Sequence, residues 1–315
     1  MDYRNFWEKL TKFNNVLIGI HTHPDGDCIG SALAVKAALS SLNIKSTIYS
    51  QDKIPDFCSF LKTDEITDRL TGKNFQVLLL VDVNSAERAK ISECKIPKNI
   101  FIIDHHERES KEFTEEIVIP GASSTSEIIY NMLTENHIEI TEEIAQNLLT
   151  GLICDTGGFR HSNTSKEALM IGSKLTEAGA NPSYITQKYF NEKSLSVIKM
   201  TGYVIDRMEA FDNGKILIAP LDYEYIKKQN LTEIDSDTVN LLVQSVKGVE
   251  ISAFIRETDV NKIRVSLRSP GIYDCNRIAM KFDGGGHINA AGCTIRKSLA
   301  EAKKDLLEAI LQSNL

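Results

Sequence analysis

The chain has no cysteine pairs at close spacing: its six, Cys28, Cys58, Cys94, Cys154, Cys275 and Cys293, are scattered over 315 residues without one Cys-x-x-Cys. That excludes a zinc knuckle and a disulfide framework, and predicts reduced thiols. No apolar run reaches membrane-spanning length, and the start, Met1-Asp2-Tyr3-Arg4-Asn5-Phe6-Trp7-Glu8, lacks the basic flank and apolar core of a signal peptide. A cytoplasmic protein without a membrane partner is expected. Basic charge is also short, with 36 Lys and Arg against 43 Asp and Glu and a net charge of −7. Duplex affinity is largely neutralisation of phosphate by Lys and Arg, so a binder of long duplex nucleic acid is disfavoured, although a local basic patch is not. Internal repeats and low-complexity segments are absent. What remains, 42% hydrophobic and 25% charged, is an ordinary globular composition at a length that suits two domains.

Apolar runs alternate with helical patterns through the first half, predicting an α/β domain of doubly wound, parallel-sheet type. Val16–Ile20 reads as a strand, Ile29, Leu33, Ala34, Ala38, Leu39 and Leu42 recur at helical spacing, and Lys45–Tyr49 returns as a strand. Ser124-Thr125-Ser126-Glu127 reads as a capping box that opens a helix, and further helices are expected from Thr141, over Lys166–Ala178 and over Pro182–Phe190. After a helical stretch over Ser194–Met208 the pattern changes. Ile216–Leu221, Val249–Ile255 and Ile263–Arg268 read as strands, with helices near Asp237–Val246 and Ser298–Gln312, predicting a second, smaller α/β domain. The predicted limits are 1–190 for the first domain, 191–212 for a helical linker and 213–315 for the second domain.

Four apolar segments of the first half end in acid or imidazole. Val16–Ile20 delivers His21, Asp25 and Asp27; Val77–Val81 delivers Asp82; Phe101–Ile103 delivers Asp104, His105 and His106; and Leu148–Cys154, read as a fourth strand-like run, delivers Asp155. Pro24-Asp25-Gly26-Asp27 taken alone is explained by turn chemistry, and Asp82 alone by a helix cap. Buried carboxylates are costly unless paired or metal-bound, so four such ends together point to one polar centre beyond the carboxyl edge of a parallel sheet. The donors are oxygen and imidazole with no thiolate, which suits Mn²⁺, Mg²⁺, Co²⁺ or Fe²⁺. Their number exceeds the needs of one catalytic ion, whereas two ions roughly 3.5–4 Å apart, sharing one carboxylate, would use them all and clamp an in-line displacement at phosphorus. In the second domain, Asp283-Gly284-Gly285-Gly286-His287-Ile288-Asn289-Ala290-Ala291-Gly292 combines unobstructed backbone N–H groups with small residues that admit a neighbouring helix. An anion site is expected there, with Arg268 as a bidentate phosphate partner.

These segments resemble motifs I to IV of the DHH phosphoesterase superfamily, named for the triplet that stands here as Asp104-His105-His106, and the glycine segment resembles the GGGHxxAAG motif of its DHHA1 domain. The likeness spans nearly the whole chain and is similar to the two-domain nanoRNase/pAp-phosphatase type, which includes phosphodiesterases of linear and cyclic dinucleotides. It implies that His21 and Asp25 bind one Mn²⁺, that Asp27, His105 and Asp155 bind a second, and that Asp82 bridges them. It implies that His106 contacts the scissile phosphate while Asp104 orients an imidazole, and that Arg268, Gly284, Gly285, Gly286 and His287 bind the nucleotide in a cleft between the domains. Asp155-Thr156-Gly157-Gly158-Phe159-Arg160 fits motif IV, with Arg160 outside its core. The implied activity is hydrolysis of short oligoribonucleotides, linear dinucleotides or pAp to 5′-mononucleotides. A cyclic dinucleotide phosphodiesterase is the alternative. Pyrophosphatase is disfavoured by the glycine motif, a RecJ-like exonuclease by length, and a non-catalytic sensor by the complete ligand set. A homodimer is compatible with the sequence.

Overall fold

A computed structural model describes residues 2–70, 74–92, 96–107, 113–231 and 236–314, so Cys94 lies outside the described residues. The other five cysteines are all free thiols. The chain forms two compact units, Met1–Glu192 and Lys193–Leu315.

The first unit is built on six parallel strands, β1 (Asn15–Gly19), β2 (Lys45–Tyr49), β3 (Ile66–Thr67), β4 (Val77–Val81), β5 (Asn99–Asp104) and β6 (Glu115–Val118), in the order β3-β2-β1-β4-β5-β6. The order reverses between β1 and β4, so the loops leaving these two strands diverge and open a crevice at their carboxyl ends. Both faces are apolar, as a parallel sheet requires. Val16, Ile18, Val77, Leu79, Val81, Phe101 and Ile103 point to one face, against α1 (Tyr3–Leu10), α2 (Gly26–Ser41), α3 (Thr125–Glu135), α4 (Glu142–Asp155) and α5 (Lys166–Glu177). Leu17, Leu78, Leu80 and Ile102 point to the other, where Val83, Ala89 and Ile91 of the segment after β4 cover them.

One expected strand-like run is a helix: Leu148–Cys154 is the C-terminal half of α4. A short continuous apolar run reads alike as a buried strand or a buried helix. Packing decides it here, because α4 is enclosed by α2, α3 and α5 and is buried almost all round. The expected helix over Pro182–Phe190 divides into α6 (Pro182–Thr186) and a π-helical turn, Gln187–Asn191.

The second unit carries a mixed sheet of β7 (Glu209–Phe211), β8 (Ile216–Leu221), β9 (Ile251–Asp259), β10 (Lys262–Arg268), β11 (Gly285–His287) and β12 (Ala290–Ile295), ordered β11-β12-β10-β9-β8-β7. Within 191–212, expected as a linker, α7 (Leu195–Asp206) buries Val197, Met200 and Val204 against Leu217, Ala219 and Phe254 of the sheet and Val239 and Val243 of α9 (Ser236–Gln244), with Tyr225 and Ile226 of α8 (Tyr223–Lys228) packed beside them. That helix is part of the second core. On the opposite face Ile263, Val265, Leu267, Ala291 and Cys293 pack with α10 (Cys275–Met280) and α11 (Leu299–Leu311).

Candidate metal centre

Four chain segments converge at the carboxyl edge of the first sheet. His21 follows β1 and Asp25 caps α2, accepting hydrogen bonds from the N–H groups of Asp27 (3.0 Å) and Cys28 (3.1 Å). Asp82 follows β4 with a left-handed backbone (φ 57°), a conformation that Asp tolerates better than most residues and that turns its side chain across the edge. Asp104 ends β5, with His105 and His106 next. Asp155 is the last residue of α4, where the helix dipole disfavours an acid, so positive charge must hold it in place.

Asp82 stands in the middle. Its Oδ2 lies 3.5 Å from His21 Nε2, and its Oδ1 lies 3.6 Å from His105 Nε2. His21 Nε2 is also 3.8 Å from Asp25 Oδ1, and His105 Nε2 is 3.1 Å from Asp155 Oδ2. The donor atoms of His21, Asp25, Cys28 and Asp82 lie within 4.8 Å of one another, as do those of Asp27, His105 and Asp155, and those of Asp82, His105 and His106. Every residue expected as a metal ligand is therefore in the cluster, and Asp82 belongs to groups on both sides. Cys28 Sγ lies within one of these groups, but burial raises its thiol well above the usual range, and the sulfur accepts the Asp25 N–H at 3.3 Å.

Sequence reasoning missed the residues that fix these ligands. Asp27 is fully buried, and its carboxylate accepts from the first N–H groups of α3, Thr125 at 2.6 Å and Ser126 at 3.0 Å, and from Ser31 Oγ at 3.2 Å. Thr125 Oγ1 donates to Asp82 Oδ1 at 2.8 Å. The motif around Ser124 thus does more than start a helix. Ser124 accepts from the Glu127 N–H, but Glu127 reaches back to the N–H of Ser123, one residue before the expected cap. Asp104 Oδ1 accepts from the His106 N–H at 3.0 Å and lies 2.8 Å from its Nδ1, holding that ring. A cavity of about 190 Å³ opens on the cluster, lined by His21, Thr22, Asp25, Asp82, Val83, Asn84, Arg88, Asp104 and His106.

The cluster is over-supplied with negative charge, which displaces the pKa values of its groups. Burial alone would lower the pKa of His105, but the hydrogen bond to Asp155 and the fields of Asp27 and Asp82 outweigh it and push it up to about 10. His21 is displaced upward in the same way, against burial, by Asp25 and Asp82. Burial raises Asp27 well above the carboxylate range, and the charges of Asp82 and Asp155 push it further. Burial likewise raises Asp155, against the His105 hydrogen bond. Asp104 Oδ2 is buried with no hydrogen-bond partner among the described residues. Oxygen and imidazole donors, buried carboxylates and uncompensated charge fit hard to borderline divalent cations. A ligating imidazole must be neutral, whereas metal-free His105 keeps its proton below about pH 10. Metal binding at pH 7–8 is therefore expected to release at least one proton, with affinity rising as pH rises. Calorimetry in buffers of different ionisation enthalpy measures this, and binding without proton release would contradict it.

The comparisons with known proteins agree with this centre. The DHH family, N-terminal domain, matches residues 15–152, and the DHHA1 domain matches residues 213–313. A bifunctional oligoribonuclease and PAP phosphatase NrnA of Thermus thermophilus is 31% identical over 97% of this chain and 94% of its own. The chain belongs to the DHH family. Like other DHH phosphoesterases it is a metal-dependent enzyme. A probable NrnA of Streptococcus mutans is 27% identical over 95% of each chain. The crystal structure of an exopolyphosphatase-related protein from Bacteroides fragilis superposes with a TM-score of 0.91 at 29% identity, covering 99% of this chain and 96% of that one.

The DHHA1 unit places its expected residues differently from the sequence reading. Gly285–His287 is an exposed edge strand, β11, and the Ala290-Ala291-Gly292 run is the strand it pairs with. A Cβ on Gly286 would lie 2.5 Å from Ala290 O and 2.5 Å from Ala291 Cα, so the small residues serve a close strand pairing as well as the contact with α10. Arg268 and His287 both pair with Ala290, from opposite sides. Cross-strand partners share a face, so the two side chains stand on one face, roughly 10 Å apart across two strand spacings. Arg160 donates from Nε to Gly157 O at 2.6 Å, and its guanidinium lies 5.5 Å from the centre of the Phe190 ring. Among the described residues, no helix is long and apolar enough to cross a membrane.

Proposed function

We propose that this enzyme hydrolyses short oligoribonucleotides and linear dinucleotides to 5′-mononucleotides, and pAp to its nucleoside monophosphate, with two divalent cations, Mn²⁺ in the first place. The observation that carries the reading is Asp82, whose two oxygens face different imidazoles, each beside a further carboxylate. The activities named for the relatives in Thermus thermophilus and Streptococcus mutans support the substrate class.

In this reading His21 and Asp25 would hold one ion, Asp27, His105 and Asp155 the other, and Asp82 would serve both. Once bound, the cations would supply charge neutralisation at phosphorus and an acidified water. The α3 N–H groups hold the Asp27 carboxylate in place and favour its ionised form, and a bound cation would supply the charge that burial of Asp27 still demands. Asp104 accepts at His106 Nδ1, which keeps the other nitrogen, Nε2, for the scissile phosphate and makes the ring easier to protonate. Hydrogen bonding to Asp104 raises the His106 pKa more than burial lowers it, so His106 can carry a proton to a departing oxygen. Arg268, His287 and the backbone of Gly284, Gly285 and Gly286 grip the nucleotide from the DHHA1 unit.

An anchored nucleotide gains orientation only when its length suits the anchor, and an acidic chain offers a longer strand no comparable basic track. The rate constant kcat/KM is expected to fall as RNA grows beyond a few nucleotides, and duplex is expected to stay intact. A length ladder at fixed Mn²⁺ and salt tests this, with cyclic di-AMP as one arm. A rate that holds out to twenty nucleotides overturns the short-substrate reading, and exclusive cleavage of cyclic di-AMP replaces it with the cyclic one.

A further inference from the structure

Among the residues lining the cavity at the metal cluster, Arg88 is the one guanidinium, in a lining that also includes Asp25, Asp82 and Asp104. It follows β4 in the segment that carries Asp82. Its Nη1 donates to Asn84 Oδ1 at 3.2 Å, and Asn84, only 3% exposed, donates in turn from Nδ2 to Glu107 O at 3.4 Å. The Arg88 carbonyl accepts the N–H of Thr22, which ties this segment to the loop that carries His21 and Asp25. A buried amide thus sets the guanidinium, and a backbone bond sets the segment relative to the metal ligands.

A cationic side chain lining this cavity repels the ions that the carboxylates attract, whereas an arriving phosphate would attract it. A phosphodiester brings non-bridging oxygens that the cations alone do not enclose, and a planar guanidinium donates to such oxygens in a fixed geometry. We propose that Arg88 binds a non-bridging oxygen of the scissile phosphate, and that Asn84 is a positioning residue that orients it. This rests on the phosphoesterase reading of the site and adds a substrate contact from the first unit, apart from Arg268 and His287. Because Arg88 would act on the phosphate itself, its effect should not depend on whether the substrate carries a base.

The test compares Mn²⁺-loaded wild type with Arg88→Ala, Arg88→Lys and Asn84→Ala, using calorimetric binding of inorganic phosphate, metal content, and turnover of pApA and of bis(4-nitrophenyl) phosphate. Arg88→Ala is expected to keep its metal, to bind phosphate at least about 10-fold more weakly, and to lose on the order of 100-fold or more in kcat/KM on both substrates, as charge-assisted contacts do when removed. Arg88→Lys should keep part of the activity. Free guanidinium ion should partly restore Arg88→Ala, an effect that a structural role would not produce, and Asn84→Ala should lose kcat more than KM. Unchanged phosphate affinity with turnover within threefold of wild type would overturn the assignment, and so would loss of metal from Arg88→Ala. If wild type leaves pApA intact, the nucleotide reading fails, while the phosphate-binding arm still decides the role of Arg88.

Discussion

Replacing Asp82 with asparagine or alanine is expected to lower kcat/KM by at least about 1000-fold, the loss that follows when several kcal/mol of charge stabilisation at phosphorus is removed. The fold should survive. Asp82 sits past the end of β4 with φ 57°, a backbone state that asparagine adopts readily and alanine at a cost of about 1 kcal/mol. In the metal-free protein, removing the Asp82 charge relieves repulsion with Asp27 and Asp155 but also takes a partner from His21 and His105. With these effects opposed, the asparagine variant should unfold close to the wild-type temperature without metal. Mn²⁺ raises the melting temperature of a protein that binds it only when folded, and this gain should shrink in the variant. Metal content, melting temperature and rate on one preparation decide the matter. Two tightly held ions with a near-normal rate would remove Asp82 from the shared position.

The second large effect is expected from a residue with no donor atom on its side chain. A Cβ on Gly151 of α4 would lie 2.1 Å from Ser126 Oγ, 2.4 Å from Asp27 Oδ1 and 3.0 Å from Asp27 Cα. Alanine is the better helix former by about 1 kcal/mol. Overpacking costs about 1–3 kcal/mol, and here the serine and the carboxylate are held by other bonds while the Cα is backbone, so strain is expected to win. Gly151→Ala should lower the urea midpoint and weaken metal binding at least about 10-fold by displacing Asp27 from the α3 N–H groups. A raised midpoint with full metal occupancy would show that α2 and α4 can part without disturbing the site.

The sequence made the acid and imidazole ends of β1, β4 and β5 legible because a parallel sheet buries its strands on both faces and leaves function at the carboxyl edge. His21, Asp82, Asp104 and His105 could be read there, and Asp155 joins the same cluster even though its segment is a helix and not a strand. An apolar run without polar interruption carries no period, so Leu148–Cys154 could not declare which it was. The supports of the site were not legible. Thr125 and Ser126 bind Asp27 across 98 and 99 residues, and a capping motif does not announce that its free N–H groups face a distant carboxylate. Arg88 and Asn84 follow Asp82 in an unremarkable polar stretch, and only the cavity shows that they turn back to it. In the DHHA1 unit the glycine run showed unobstructed N–H groups but not that Gly285, Gly286 and His287 pair with Ala290–Gly292 as a strand.

Product analysis with and without divalent metal tests the central claim most directly. Purified protein freed of metal should leave diadenylate, a five-residue RNA and pAp intact. Restoring Mn²⁺ should convert the two RNAs to 5′-AMP and other 5′-mononucleotides and release phosphate from pAp. Inert linear substrates in the Mn²⁺-loaded enzyme, with turnover confined to cyclic di-AMP or inorganic pyrophosphate, would contradict the account.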